Sequence, residues 1–394
     1  MRIWRAAPIS ARSFWRSEPV LGAVHVAILG LAALSLCLSL WTIRRDVPLE
    51  WRFAVPPRIE AQGAPFFETV LDHTAPSGQA HSPAIALTDV GFDVLWFQGS
   101  EEARADVDIF AARLTRDPEG WTAAAPRRHV TRRALGAAMA PGQLVVTLGN
   151  TIENEAVPGG LYATTVSVGG WAMASVADIR MGADGPQHAR KLNLSPLLNR
   201  SHLVKSPMVA YADGSYALPA YFEMGQMHGL LVRTDGQGRV RDTARMDARG
   251  LQPIQPMVVP LGARRAVAFL RDFDTARGRL LISHTEDGGQ SWSRVRQTDI
   301  ANPSAPVAAL SLGGARILIA MNDDPARPQD LRLSLSEDGG AHWRLLHVIA
   351  PEDGALRYPM LRQLPDGDFA LTYSQGTKRG IKAHVFNAAW LETL

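Results

Sequence analysis

Apolar residues follow two regimes along this chain. Residues 20–43 (VLGAVHVAILGLAALSLCLSLWTI) form one run without Asp, Glu, Lys or Arg. At about 1.5 Å of helical rise per residue, such a run can cross a hydrocarbon core of ~30 Å. From residue 64 onward the pattern becomes short alternating or fully apolar runs bounded by Gly, Pro, Asp or Asn. That pattern reads as β-strands joined by tight turns.

The strands repeat. Six segments place an apolar strand after a turn glycine: Gly91-FDVLWFQG, Gly142-QLVVTLGN, Gly214-SYALPAYFE, Gly262-ARRAVAFLRD, Gly314-ARILIAMND and Gly367-DFALTYSQ. The glycines are 51, 72, 48, 52 and 53 residues apart. Five copies follow a lead-in strand: HSPAIAL from His81, KSPMVAY from Lys205, QPMVVPL from Gln255, SAPVAAL from Ser304 and YPMLRQL from Tyr358. The second copy has a degenerate lead-in near Leu135-Gly136. Each pair is a hairpin, and a unit of about 50 residues leaves room for two more strands, which is a propeller blade. The expected fold is therefore all-β, a six-bladed β-propeller with four-stranded antiparallel blades, preceded by one N-terminal transmembrane helix. A strand over residues 66–71 is expected to pair beside residues 381–386 and close the ring, removing an open edge.

A second repeat runs in step. Thr285-Glu-Asp287-Gly-Gly289-Gln-Ser291-Trp292 fits the Asp-box pattern S/T-x-D-x-G-x-T/S-W, and Ser336 to Trp343 fits it except at His342. Degenerate forms surround Asp117, Asp184 and Asp235. An aspartate accepting backbone N–H groups, with glycines at positive φ, makes these turns structural staples of the outer strands.

Composition narrows the chemistry. The single Cys37 excludes an internal disulfide framework and a cysteine zinc cluster. No phosphate loop, nucleophile elbow or metal-ligand spacing occurs, so no cofactor and no metal are expected. The net charge of +3 resides in residues 1–18, and the remainder balances. A nucleic-acid partner, which needs a cationic face, is not expected. Arg2, Arg5, Arg12 and Arg16 before the apolar run favour a cytoplasmic N-terminus. The expected organisation is a cytoplasmic segment 1–19, a single-pass anchor 20–43 in the inner (cytoplasmic) membrane, a linker 44–63 and a propeller 64–394 in the periplasm or outside. A cleaved signal peptide is the alternative, but its apolar region normally spans only about 7–15 residues.

Several blocks, in order, carry a more specific likeness: HSPAIAL with WFQGSEEARADVDIF, SVGGWAMAS, SPLLNRSHLVKSPMV, LPAYFE, QPIQPMVV, ANPSAPVAAL, LRLSLSEDGGAHWR and the final RYPMLRQLPDGDFALTYSQGTKRGIKAHVFNAAWL. Over residues 64–392 the chain resembles the Asp-box (BNR-repeat) sialidase-like family of six-bladed propellers, in particular bacterial exo-α-sialidase-like members. The resemblance implies glycoside hydrolysis with three arginines on a sugar carboxylate, a tyrosine nucleophile assisted by a glutamate, and an aspartate as acid/base. The chain departs from that pattern at the first arginine. No Arg-Ile-Pro motif occurs, Arg58-Ile59 is followed by Glu60, and the first blade opens with His81. That departure argues against strict sialidase activity.

Hairpin topology nominates the site, because the start of strand one and the end of strand two share an edge that can face the central channel. The catalytic candidates are His81, Glu102, Asp106, Tyr221 and Glu223. His81 suits proton transfer at neutral pH. Glu102 and Asp106 correspond to acids in the family's first-blade loop. Tyr221 and Glu223 lie two apart and so share one strand face. The substrate-binding candidates are Gln98, Lys205, Gln255, Arg271, Asn302, Asn322, Tyr358 and Tyr373, with Trp171 either a sugar platform or a core residue. The expected function is a membrane-anchored, sialidase-like glycosidase acting on a glycan, acidic or otherwise, at the central face of the propeller. The alternative is a non-catalytic polysaccharide-binding propeller of envelope or exopolysaccharide handling.

Overall fold

The computed structural model describes residues 21–45, 48–195 and 199–393. It separates into two units, 1–49 and 50–394. In the first, Leu21–Arg45 is a continuous α-helix, apolar over Gly22–Arg44. A helix of this kind serves as a membrane span or as a signal sequence. The arginine-rich segment 1–19 and Val20 lie outside the described residues.

The second unit is a six-bladed β-propeller with antiparallel blades. The first strands are Gln79–Thr88, Thr147–Asn154, the pair His202–Val204 and Val209–Ala210, Pro253–Pro260, Ala308–Ser311 and Arg357–Gln363. Each is followed outward by its hairpin partner and two further strands. The second strands are almost entirely buried, because both sheet faces pack on neighbouring blades. The sixth blade takes its outermost strand from the start of the unit. Phe67–Thr74 pairs with Gly380–Phe386, from Phe67 opposite Phe386 to Thr74 opposite Gly380. Phe67 also stacks on the Phe386 and Trp390 rings, with centroids 5.6 and 4.6 Å away. The expected closing strand is therefore observed.

The second blade departs from the expected phase. Gly142 does not open its hairpin. The segment after it is the first strand, and the turn lies at Gly159, φ 66°, before the second strand Gly160–Val166. The degenerate lead-in near Leu135-Gly136 is instead a helix, Arg132–Ala138, capped by Thr131 Oγ1 accepting from the Ala134 amide at 3.1 Å. With the turn at Gly159 the spacings become 68 and 55 residues, so the inserted helix lengthens the first of them, and the anomalous 72 arises because Gly142 is not the turn.

The Asp boxes occupy the turns between third and fourth strands, as expected. Asp287 accepts from the Ser291 amide at 3.0 Å, and Asp338 from the His342 amide at 2.9 Å. Trp343 meets Phe269 of the preceding blade edge-on at 5.9 Å, so the box also joins neighbouring blades. On the face that carries the hairpin turns, residues 50–59 run along blades three to five. The Phe53 amide donates to Ala263 O (2.7 Å) and the Ile59 amide to Leu312 O (3.0 Å). The Arg233 guanidinium, fully buried, donates to Glu50 O at 2.9 Å and lies 3.5 Å from the Tyr211 ring centre.

Ring closure makes the closing strand a stability determinant of the whole propeller. Leu71 is buried in that strand. Leu71→Ala is expected to destabilise the folded chain by about 2–5 kcal/mol. A denaturant midpoint that did not fall would show that the propeller holds without this closure.

Candidate functional site

All six first strands are interrupted at the end nearest the hub. Register shifts fall between His81 and Ala84, Leu148 and Thr151, Ile254 and Met257, and Arg357 and Met360. In the third blade residues 205–208 separate two short strands, and in the fifth the strand begins only at Ala308. Four residues at these breaks adopt left-handed φ: Ser82 (56°), Gln255 (52°), Ser304 (53°) and Tyr358 (56°). Pro83, Pro256, Pro306 and Pro359 follow closely, which stops the ladder locally. Such a bulge re-aims the neighbouring side chains, and the left-handed conformation costs roughly 1–2 kcal/mol at each non-glycine residue.

The re-aimed side chains line a hub cavity of about 340 Å³. The expected residues that meet there are His81, Glu102, Tyr221, Glu223, Gln255, Arg271 and Tyr358. Arg271 is the node. Its Nε donates to Ser304 Oγ at 2.9 Å, and its Nη1 to Gln255 Oε1 and Tyr358 Oη, each at 3.3 Å. Gln255 Nε2 reaches Tyr358 Oη at 3.2 Å and Tyr221 Oη at 3.4 Å. Tyr358 thus accepts from a cation and an amide. Tyr221 differs. Its burial, with Glu223 and Tyr358 nearby, pushes its hydroxyl well above the usual phenol range.

Burial raises the Glu223 carboxyl, against the opposing pull of Arg271, and Glu102 raises it further. Glu102 itself is paired with Lys378. Burial, with Lys378 and Arg271, holds His81 well below its ordinary value, so the imidazole is neutral. Ser374 Oγ accepts from the Ser82 amide at 3.0 Å and lies 2.8 Å from His81 Nδ1. A hydroxyl that accepts one N–H keeps one proton and one lone pair, so this contact suits either tautomer of the neutral ring. His81 Nε2 is buried and unpartnered at the cavity wall.

The remaining expected residues lie elsewhere. Asp106 caps its loop through the Ser100 amide and hydroxyl, both at 2.9 Å. Gln98 accepts from Trp96 Nε1 at 3.0 Å. Tyr373 is buried against His384 Nε2 at 2.8 Å. Asn302 ties its own loop through Ala305, and Asn322 holds Asp330 O and Leu356 O. Lys205 is buried behind the cavity wall and spans the hub, with Nζ donating to Val307 O (3.0 Å) and Pro359 O (2.6 Å). It braces the fifth- and sixth-blade breaks from the third.

Arg357, Lys378, Phe97 and Phe273 are among the cavity residues that the sequence did not nominate. Arg357 sits one residue before a recognised strand start, and Lys378 in a hairpin turn. Phe97 lies just inside the strand end, and Phe273 just beyond one. The adjacency of Arg357 to Tyr358 was a usable signal, whereas nothing in the sequence marks Lys378. Trp171 is at the cavity wall, where its indole lies over Gly149. A Cβ at Gly149 would meet it at 2.9 Å.

Comparison with known proteins agrees with this architecture. The BNR repeat-like domain model matches residues 91–371, and the chain belongs to that family. A sialidase of Micromonospora viridifaciens is 30% identical over 179 residues, 42% of this chain and 26% of that protein. The chain thus spans about a quarter of that relative's length. Among solved structures, a Dyadobacter fermentans protein of unknown function superposes with a TM-score of 0.62 at 14% identity, covering 82% of this chain and 99% of that one. The Hadza microbial sialidase Hz136 gives 0.61 at 15%, covering 81% and 67%. A Trypanosoma rangeli sialidase mutant gives 0.58 at 10%, covering 86% and 61%. At these identities the structures share the fold.

Lys205 generates a pH signature. Burial lowers its ammonium from 10.5 to about 7. Between those values the unfolded chain binds one proton more than the folded chain. Stability from this group therefore rises with pH across the window and is lost as pH falls through it. Lys205→Met is expected to flatten the slope of unfolding free energy there by about 1.4 kcal/mol per pH unit. Denaturant titrations at several pH values measure it, and an unchanged slope would mean that Lys205 is charged in the fold.

Proposed function

We propose that the hub cavity is the active site of a glycosidase that acts on an acidic glycan. The observation that supports this most is convergence: Glu223, Glu102 and Tyr358 share one cavity with Arg271, Arg357 and Lys378. Guanidinium groups match a sugar carboxylate geometrically, and Arg271 with Arg357 supplies two of them. Burial and Arg271 both lower the Arg357 cation, so a bound anion relieves a costly pairing of like charges.

Of the two phenols, Tyr358 suits nucleophilic attack, because Arg271 and Gln255 already hold its oxygen. A neutral phenol avoids the repulsion that a carboxylate nucleophile meets beside an anionic sugar. In this reading Tyr358 Oη bonds to the anomeric carbon as the glycosidic C–O bond breaks, and its proton passes to the Glu102 carboxylate. Glu223, whose raised affinity keeps a proton on it, donates that proton to the departing oxygen and then takes one from the water that releases the sugar, while Glu102 returns its proton to Tyr358. In its Nε2–H tautomer, His81 donates to a substrate oxygen where the sialidase pattern carries its first arginine. The neutral donor in place of a cation favours an acidic sugar other than a strict sialidase substrate. The apolar helix acts as a retained single-pass anchor of the inner membrane, with a cytoplasmic N-terminus and the propeller in the periplasm or outside.

The test is release of 4-methylumbelliferone by the full chain from the N-acetylneuraminide, glucuronide, galacturonide and neutral hexosides. Turnover is expected on an acidic member. Tyr358→Phe and Glu223→Gln should each lower kcat by about 100-fold or more. Arg271→Ala should raise KM. Binding of acidic glycans without turnover anywhere in the panel would favour the polysaccharide-binding alternative, in which the Glu102–Lys378 pair is a fixed recognition element.

A further inference from the structure

The rim of the hub cavity is divided into two unlike halves. Six loops join second to third strands on the cavity's face of the ring. Five of them place a residue in the cavity wall: Glu102, Trp171, Glu223, Phe273 and Lys378. In blades five, six and one these loops (322–330, 376–379 and 100–107) hold four, two and four charged residues. In blades two, three and four (167–174, 223–227 and 273–278) they hold none, one and two. The one charge of the blade-three loop is Glu223. The two of the blade-four loop, Asp274 and Arg277, pair with each other at 3.3 Å.

Apolar side chains occupy the weakly charged half. Among the described residues of the propeller, six large apolar side chains are exposed. Three of them stand on these loops: Val168 at 71%, Met224 at 37% and Phe273 at 45%. A fourth, Leu144, lies two residues before Val146, whose amide donates to Val166 O at 2.8 Å beside the blade-two loop. Val90 is in the first turn of blade one on the opposite face, and Leu345 is on the outer strand of blade five. The exposed group continues into the cavity. Trp171 and Met227 pack against a buried cluster whose Leu203, Tyr221 and Ile254 line the cavity wall. Lys191 and Arg200 touch the blade-two loop at Ser167 Oγ (3.3 Å) and Met173 Sδ (3.6 Å), and neither lines the cavity. Single exposed apolar residues are ordinary, whereas a group of them beside a site marks what the site receives.

We propose that this half of the rim receives an apolar aglycone, so that the substrate is an amphiphilic glycoside with its acidic sugar in the hub and an alkyl chain across the loops of blades two to four. The proposal rests on the reading of the hub as a glycosidase site. In that reading Glu223 protonates the departing oxygen, and Met224 is the next residue, so the leaving group departs over the apolar half. Methionine adapts its unbranched side chain to a flexible partner, and each methylene group removed from water on these loops adds affinity. A chain laid over the opposite loops would instead strip water from charged groups, which opposes binding.

Matched methyl and hexyl glycosides of N-acetylneuraminic, glucuronic and galacturonic acid test this. Binding is read by isothermal titration of the full chain in phosphatidylcholine nanodiscs, carrying Tyr358→Phe so that no sugar is released, with empty discs subtracted. For at least one acid the hexyl member is expected to bind about tenfold tighter than the methyl member, or better. Val168→Ser with Met224→Ser, two exposed positions outside the cavity wall, should bring that ratio close to one with an unchanged melting temperature. Leu345→Ser should leave the ratio as it is. Equal hexyl and methyl binding would overturn the proposal and leave the rim to a protein or a lipid surface. A ratio insensitive to the double variant would overturn it too, as would the absence of binding by every hexyl member. A hexyl preference without turnover by the unsubstituted chain would remove the glycosidase reading alone and keep the amphiphilic ligand.

Discussion

The break in the first strand of every blade is the constraint on which this structure depends. A regular strand alternates its side chains between two sheet faces, and in a propeller both faces are packed on neighbouring blades. A first-strand residue turns into the hub where that alternation is interrupted, whereas Arg271 and Tyr221 reach it from the ends of regular second strands. Gln255, Ser304 and Tyr358 sit at such interruptions in left-handed conformations, and all three bind Arg271. The local strain is held by the ring, which leaves no edge through which the breaks can relax.

Ring closure and hub electrostatics are therefore linked. The closing strand pairs residues more than three hundred positions apart, and the hub then removes buried groups from water. Within it Lys205 finds two backbone carbonyls, His81 is neutral, and Glu223 binds its proton more tightly. The cations that do face the cavity, Arg271, Arg357 and Lys378, act in a medium where charge is poorly screened. One polypeptide constraint thus sets both the shape and the proton affinities of the site.

The relatives share this frame at 10 to 15% identity among the solved structures. Such distances preserve blades and turns while leaving the hub free to change, since chemistry resides in the site rather than in the fold. His81 illustrates the point. It occupies a break, makes a fixed contact with Ser374, and presents a neutral imidazole rather than a guanidinium.

The periodic features were readable from the chain itself. Strand and turn periods encode the blade count, the closing strand, the Asp boxes and the apolar helix, because each is a local pattern with its own chemistry. The second blade misled the reading, since an inserted helix displaced its turn from Gly142 to Gly159. Hairpin edges brought out Arg271, Gln255, Tyr358 and Glu223, whose strands all point inward. The same rule placed Lys205, Tyr373 and Asn322 at the site, but packing turned Lys205 and Asn322 to backbone carbonyls and Tyr373 to His384. Arg357 and Lys378 joined the site only because a strand start and a hairpin turn of the sixth blade meet residues of the other blades. A sequence specifies where a strand starts and stops. Which side chain leaves a bulge toward the axis, and which loops then face each other, depends on contacts between distant blades, and these exist only once the ring has closed.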